Sequence, residues 1–196
     1  ATTGTVNVTS STAVFTLSSG STKGHVDSYW KLGGLSQTSS TTGLQEEGYV
    51  KVTDVISTTV VTATVIKNLK AGTATTDWAE GAFSAVRGYP SCVTFHERKL
   101  WYARTNKEPQ KIWGSRIFSF DDFALDTESA DDGLNLPLAS NESNEIQWLA
   151  SSKSLIAGTF GGAFIVNSGS TEPITPANAN ASEEVGYGAD SILPKR

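Results

Sequence analysis

The residue types that could do chemistry fall in a few places along the chain. Residues 121 to 145 carry Asp121, Asp122, Asp126, Glu128, Asp131, Asp132, Glu142 and Glu145, with no Lys or Arg between Ile117 and Ser152. Carboxylate oxygens are what a hard cation such as calcium takes. The run from Asp126 to Gly133 lacks the ligand spacing of an EF-hand loop, so a solvated loop is the expected reading. His96-Glu97-Arg98-Lys99 begins like a zinc-protease motif, but Leu100 stands where its second histidine belongs. The two histidines, His25 and His96, are too few for an imidazole metal centre. His96 is expected exposed and neutral at a hairpin tip.

Cys92 is the lone cysteine, which excludes an intramolecular disulfide and a multi-cysteine metal site. Beside a strand it is expected to be a small buried apolar residue; as a nucleophile it would need a histidine partner. Gly20-Ser21-Thr22-Lys23-Gly24 lacks the Gly-Lys-Ser/Thr order of a phosphate loop. The Asn-x-Ser/Thr triplets at Asn7, Asn141 and Asn180 are what chance yields in a chain rich in Ser and Thr. The rings of Trp101, Tyr102, Trp113, Trp148 and Phe164 could line a sugar-binding groove, but strand positions favour core packing. No catalytic, cofactor-binding or metal-ligating residue is expected, and an enzyme is the weakest reading.

The elements that would hold these residues are short strands. Between 1 and about 80 the chain is rich in Thr, Ser, Val and Gly. Gly48 to Ile56 alternates apolar and polar side chains, and Thr59 to Ile66 is dense in β-branched residues, so the two form a hairpin turning at Ile56 to Thr59. Val6–Thr9, Ala13–Leu17 and Tyr29–Leu32 add three more strands. Ser36 to Thr42 and Thr73 to Asp77 are expected as polar loops, with Trp78 and Phe83 as apolar plugs at a junction. A small antiparallel barrel or sandwich over residues 1–80 follows.

Residues 81–196 have another rhythm. Val93-Thr94-Phe95, Leu100-Trp101-Tyr102-Ala103 and Lys111 to Ser115 form one strand set. Ile146 to Leu149, Ser154 to Thr159 and Ala163 to Val166 form another about 50 residues later. Two such β-meanders resemble incomplete propeller blades, and blades need neighbours on both faces. Methionine is absent, position 1 included. The chain is therefore expected to be part of a longer one.

Bulk composition narrows the classes. A length of 196 residues suits one large or two small domains. Apolar runs are only a few residues long, so no membrane span is expected. Ala1 to Thr5 has neither the basic nor the apolar part of a signal peptide. The net charge of −5 argues against non-specific nucleic-acid binding. All of that imbalance lies after residue 88, where nine basic residues face fourteen acidic ones.

From about Gly48 to Tyr187 several blocks follow in one order: Gly48 to Thr53, Thr62 to Val65, Trp78 to Ser84 and Gly88-Tyr89-Pro90. Leu100 to Ala103, Pro109 to Ser115 with Phe123, Ile146 to Leu149, Leu155 to Thr159, Ile174 to Asn178 and Gly186-Tyr187-Gly188 complete the series. In these blocks the chain resembles a virion protein of bacteriophages, the tail tubular or nozzle component of short-tailed phages. The resemblance implies a propeller with inserted or preceding β-barrel domains, and a place in the virion. Its partners would be identical subunits in a ring and adjoining neck and tail proteins, with DNA passing unbound and no small-molecule substrate. The N-terminal part is similar to the first catalytic-cysteine half-domain of ubiquitin-activating enzymes. Ubiquitin chemistry is not implied, since Cys92 lies outside that half and no adenylation motif is present. The rival class is a carbohydrate-binding or host-adhesion module, which would need Trp101, Trp113 and Trp148 as a solvent-facing row.

Overall fold

A computed structural model of the chain describes residues 5–9, 12–16, 23–38, 45–57, 60–67, 78–125, 129–139 and 144–190. Among these the regular elements are strands, apart from a 3-10 turn at Lys23–His25. The chain divides into two compact units, 1–88 and 89–196.

The first unit holds β1 (Thr5–Thr9), β2 (Thr12–Thr16), β3 (Tyr29–Thr38), β4 (Gln45–Val55), β5 (Val60–Lys67) and β6 (Trp78–Glu80). They make one antiparallel sheet in the order β1-β2-β5-β4-β3-β6. Among the described residues no ladder joins β1 to β6, so the sheet is open and not a closed barrel. Trp30, Leu32, Val50, Val52, Val55, Val61 and Ala63 form its core. Val50 and Val52 obey the two-residue period of a strand, whereas Val55 is three further on. A register shift between Val52 and Asp54 absorbs the extra residue and returns Val55 to the core face.

β3 runs on to Thr38, with Gln37 paired to Glu46, so the loop expected from Ser36 starts later. The rest of that loop, and Thr73 to Asp77, lie outside the described residues. Trp78 stacks on Trp30 at 5.1 Å between ring centroids and belongs to this first core. The junction expected near residue 80 falls at Gly88, because 81–88 folds back onto the first sheet. Gly81 N donates to Tyr29 O, and Arg87 pairs with Glu80.

The second unit consists of two four-stranded antiparallel meanders. One has β7 (Cys92–His96), β8 (Lys99–Ala103), β9 (Lys111–Gly114) and β10 (Leu134–Pro137) in sequence order across the sheet. The other repeats the plan with β11 (Ile146–Ser151), β12 (Leu155–Thr159), β13 (Ala163–Asn167) and β14 (Asn180–Val185). One core unites them: Trp101, Ala103, Ile112 and Leu134 from the first sheet meet Leu149, Leu155, Ala157, Phe164 and Val166 from the second. The opening strands β7 and β11 lie against each other, as the first strands of neighbouring blades do.

In this unit two strands fall outside the expected set. β10 is four residues ending in a proline, tolerated because it is a sheet edge. β14, Asn180-Ala181-Ser182-Glu183-Glu184-Val185, is an acidic edge whose Ala181 alone touches the core.

Candidate functional site

Unusual chemistry concentrates at the β7–β8 hairpin. Its two turn residues, Glu97 and Arg98, have φ of 47° and 62°. That is the geometry of a two-residue turn with both central residues left-handed, which Asn-Gly usually supplies. Two β-carbon-bearing residues held there mark local strain. Tertiary bonds hold the tip: Glu97 Oε2 accepts the Ile174 amide at 2.7 Å, and Arg98 O accepts the Phe118 amide at 3.0 Å. Phe118 is itself left-handed, with φ of 59°.

His96 ends β7 and faces the second meander, because the alternation that buries Cys92 buries His96 four residues on. The structure therefore corrects the exposed histidine expected at this turn: its side chain is 5% exposed. Its Nδ1 lies 2.9 Å from Ser151 Oγ on β11, and its Nε2 makes no hydrogen bond, with Glu97 Oε1 3.8 Å away. Burial holds the imidazole pKa below its usual value, against a smaller opposing effect of Glu97. Its backbone oxygen accepts the Trp101 indole N–H at 2.9 Å. Hydroxyl, imidazole and carboxylate thus stand in series, as in a nucleophilic relay. Here, however, the imidazole sits inside the seam between two sheets, and one oxygen of the carboxylate is taken by Ile174. The bonds tie β7 to β11.

Cys92 lies in the same seam, buried as expected, with Sγ 3.3 Å from Gln147 O. Desolvation raises the thiol pKa, slightly opposed by Arg104, so the thiolate is disfavoured. Outside the seam, Arg104 joins Glu145 at 3.3 Å and Gln147 at 3.4 Å.

The acidic stretch is not uniformly solvated. Asp121 is exposed, but Asp132 is buried. Arg116 Nη2 donates to Asp132 Oδ1 at 2.5 Å, Arg116 Nη1 lies 3.5 Å from Asp122, and the Ser129 amide donates to Asp132 Oδ2. Lys99, also buried, donates to Asp132 O at 2.6 Å, and burial lowers its pKa. This polar cluster pins the β9–β10 connection to the hairpin. Asp126, Glu128 and Glu142 lie outside the described residues. Among the described residues no three His, Cys, Asp or Glu side chains gather as a metal site. An open groove of about 450 Å³ lies along β10, lined by Leu134, Leu136 and Pro176, away from Ser151.

The tryptophans form no row: Trp101 and Trp113 are buried, and Trp148 is half-buried over Gly158. Rings that do stand in solvent include Phe95, Phe118, Phe160 and Tyr187, which composition does not single out. Ser151, the first of the four polar residues 151–154, carried no signal in the sequence either. No protein-family profile and no curated protein matches the chain.

Proposed function

We propose that this chain is a structural element of a bacteriophage tail or neck, a subunit of a tail-tube or nozzle ring. It would act by assembling with identical subunits and adjoining virion proteins around the conduit through which DNA leaves. The observation that supports this reading is the pair of consecutive meanders, stacked face to face with β7 beside β11. Stacked sheets of this kind build rings by repetition. The resemblance of the ordered blocks to tail tubular proteins gives the ring its place.

In this reading the protein is not an enzyme, and the Ser151–His96 pair holds strands together. The surplus of negative charge after residue 88 keeps DNA from sticking, since an acidic wall gains nothing from counterion release. Particles that contain this sequence by mass spectrometry, imaged by cryo-electron microscopy, provide the test. A symmetric ring into which this fold can be built supports the proposal. Absence of the chain from particles, or a salt-sensitive micromolar complex of the isolated protein with duplex DNA, overturns it.

A further inference from the structure

We propose that the face of the first sheet turned away from its core is a platform for single-stranded nucleic acid. Tyr29 and Tyr49 take bases on their rings, and Lys31, Lys51 and Lys67 take the phosphates. The inference goes beyond the virion reading and does not rest on it.

Strand alternation builds the patch. Trp30 and Leu32 of β3, and Val50 and Val52 of β4, face the core, so Tyr29, Lys31, Tyr49 and Lys51 face away from it. Tyr29 pairs with Lys51 across the two strands, and Lys31 pairs with Tyr49. In β5 the two-residue period of Val61 and Ala63 would carry Lys67 to the core side. A register shift between Tyr49 and Val50 instead sets Lys67 directly opposite Tyr49. Tyr49 therefore has Lys31 on one flank, Lys67 on the other and Lys51 two residues along its own strand. The Lys67 ammonium lies 6.0 Å from the Tyr49 ring centroid, and that of Lys51 5.8 Å from the Tyr29 centroid. Tyr29 is 50% exposed, and the other four residues are half-buried.

The charges on this face call for an anion. Lysines gathered on one face repel one another, and an anion above Tyr49 relieves that repulsion. Of the acidic residues nearby, Asp27 holds Lys51 at 2.8 Å and Asp54 holds Lys23 at 2.8 Å. Glu80 lies opposite Trp30 on the core face, paired with Arg87. Glu46 and Glu47 precede Gly48 at the start of β4 and bound the patch at that end. The Lys51–Asp27 pair is a surface pair of small worth, so a phosphate competes for the ammonium. Residues 1–88 carry six basic and six acidic residues, so the acid surplus of the chain belongs to the other unit.

The rings select which polyanion. Tyr29 and Tyr49 are diagonal neighbours across β3 and β4, which sets their β-carbons roughly 7–8 Å apart. That is about twice the 3.4 Å rise per base of a duplex strand, a step that a stretched single strand can span with its bases unstacked. A base on an aromatic ring with a phosphate on the adjacent cation is how single-strand platforms bind. A duplex keeps its bases stacked and offers neither ring a face. An acidic polysaccharide offers charge without a flat π-face, so it would use the lysines alone.

Fluorescence anisotropy of a labelled oligothymidylate, titrated with the whole chain at several salt concentrations, tests the platform. Duplex DNA of the same length and dextran sulfate are the other arms. The wild type should bind the single strand with micromolar affinity. Its log K should fall against log salt with a slope of about −1.4 to −2.1, the value for two to three phosphates. Lys67→Gln should flatten that slope by about 0.7, and Lys31→Gln should do the same. Tyr29→Ala should weaken binding roughly tenfold at unchanged slope, whereas Tyr29→Phe keeps the ring and should bind as the wild type does. Near-UV circular dichroism confirms that each variant is folded. Absence of binding at low salt overturns the proposal. So does duplex or dextran sulfate bound as tightly as the single strand, a Tyr29→Ala variant that binds like the wild type, or a slope that neither lysine variant changes. A duplex complex would count against the virion reading too; the other failures leave it intact, because particle content tests it separately.

Discussion

His96 Nδ1 lies 2.9 Å from Ser151 Oγ, so the last residue of β7 is bonded to the last residue of β11. The charged and polar groups nearest the ring are Glu97, its cross-strand partner Lys99 and Ser151. Desolvation lowers the folded-state pKa of His96, so the native protein prefers the neutral ring. The unfolded chain takes up a proton near pH 6.5, before the folded one does. The stability from this group is therefore complete above that pH and is lost as pH falls from there toward the folded value. Thermal melts of the wild type should fall more steeply between pH 7 and 5 than those of His96→Asn, which has no ring to charge. Parallel slopes would refute this assignment.

Trp101 should be the most costly ring to remove. It is fully buried in the shared core, and its indole N–H is bonded to His96 O. Trp101→Ala should cost about 3–5 kcal/mol, the range for a large aromatic cavity. Trp101→Phe keeps most of the volume but loses the bond to His96 O, for about 1 kcal/mol. Urea titration of both variants checks the order. A Phe variant as unstable as the Ala variant would mean that the bond, not the volume, dominates.

The strands that sequence reasoning placed are those where side chains announce burial. Cys92, Trp101 and Phe164 are apolar or aromatic on alternating backbones, and all three lie in the core. β10 and β14 escaped because Asn135 and Pro137, or Glu183 and Glu184, make an edge look like a loop. His96 was misplaced for a different reason. What buries it is β11, more than fifty residues away, and no local pattern encodes that contact. Asp132 is the same case: its neighbours in sequence are acidic and its partner Arg116 precedes the loop. The bonds at the hairpin are tertiary as well.

The Lys99–Asp132–Arg116 cluster should respond unequally to its two ends. Asp132→Ala takes from Arg116 its shortest ion pair and removes the acceptor of the Ser129 amide. Breaking a buried pair costs about 3–5 kcal/mol, and the lower end applies because the Arg116 side chain is 28% exposed. Lys99→Met keeps the aliphatic stem and removes a charge that burial disfavours, so its cost is the one bond to Asp132 O, about 1 kcal/mol. Chemical denaturation should rank Asp132→Ala well below Lys99→Met. Equal losses would show that the lysine, not the carboxylate, anchors the connection.

Gly158 is a position where one added methyl should do local harm. A β-carbon there would fall inside the Trp148 indole, which lies flat across the glycine on the outer face of β12. Gly158→Ala must push the ring off the sheet, at about 1–3 kcal/mol for overpacking. If the clash is the cause, shrinking the ring removes it, so Gly158→Ala should cost much less in a Trp148→Leu background. A double-mutant cycle on the folding free energy reads that coupling directly. Additive losses would mean that the strand itself, through a backbone distortion at Gly158, carries the penalty.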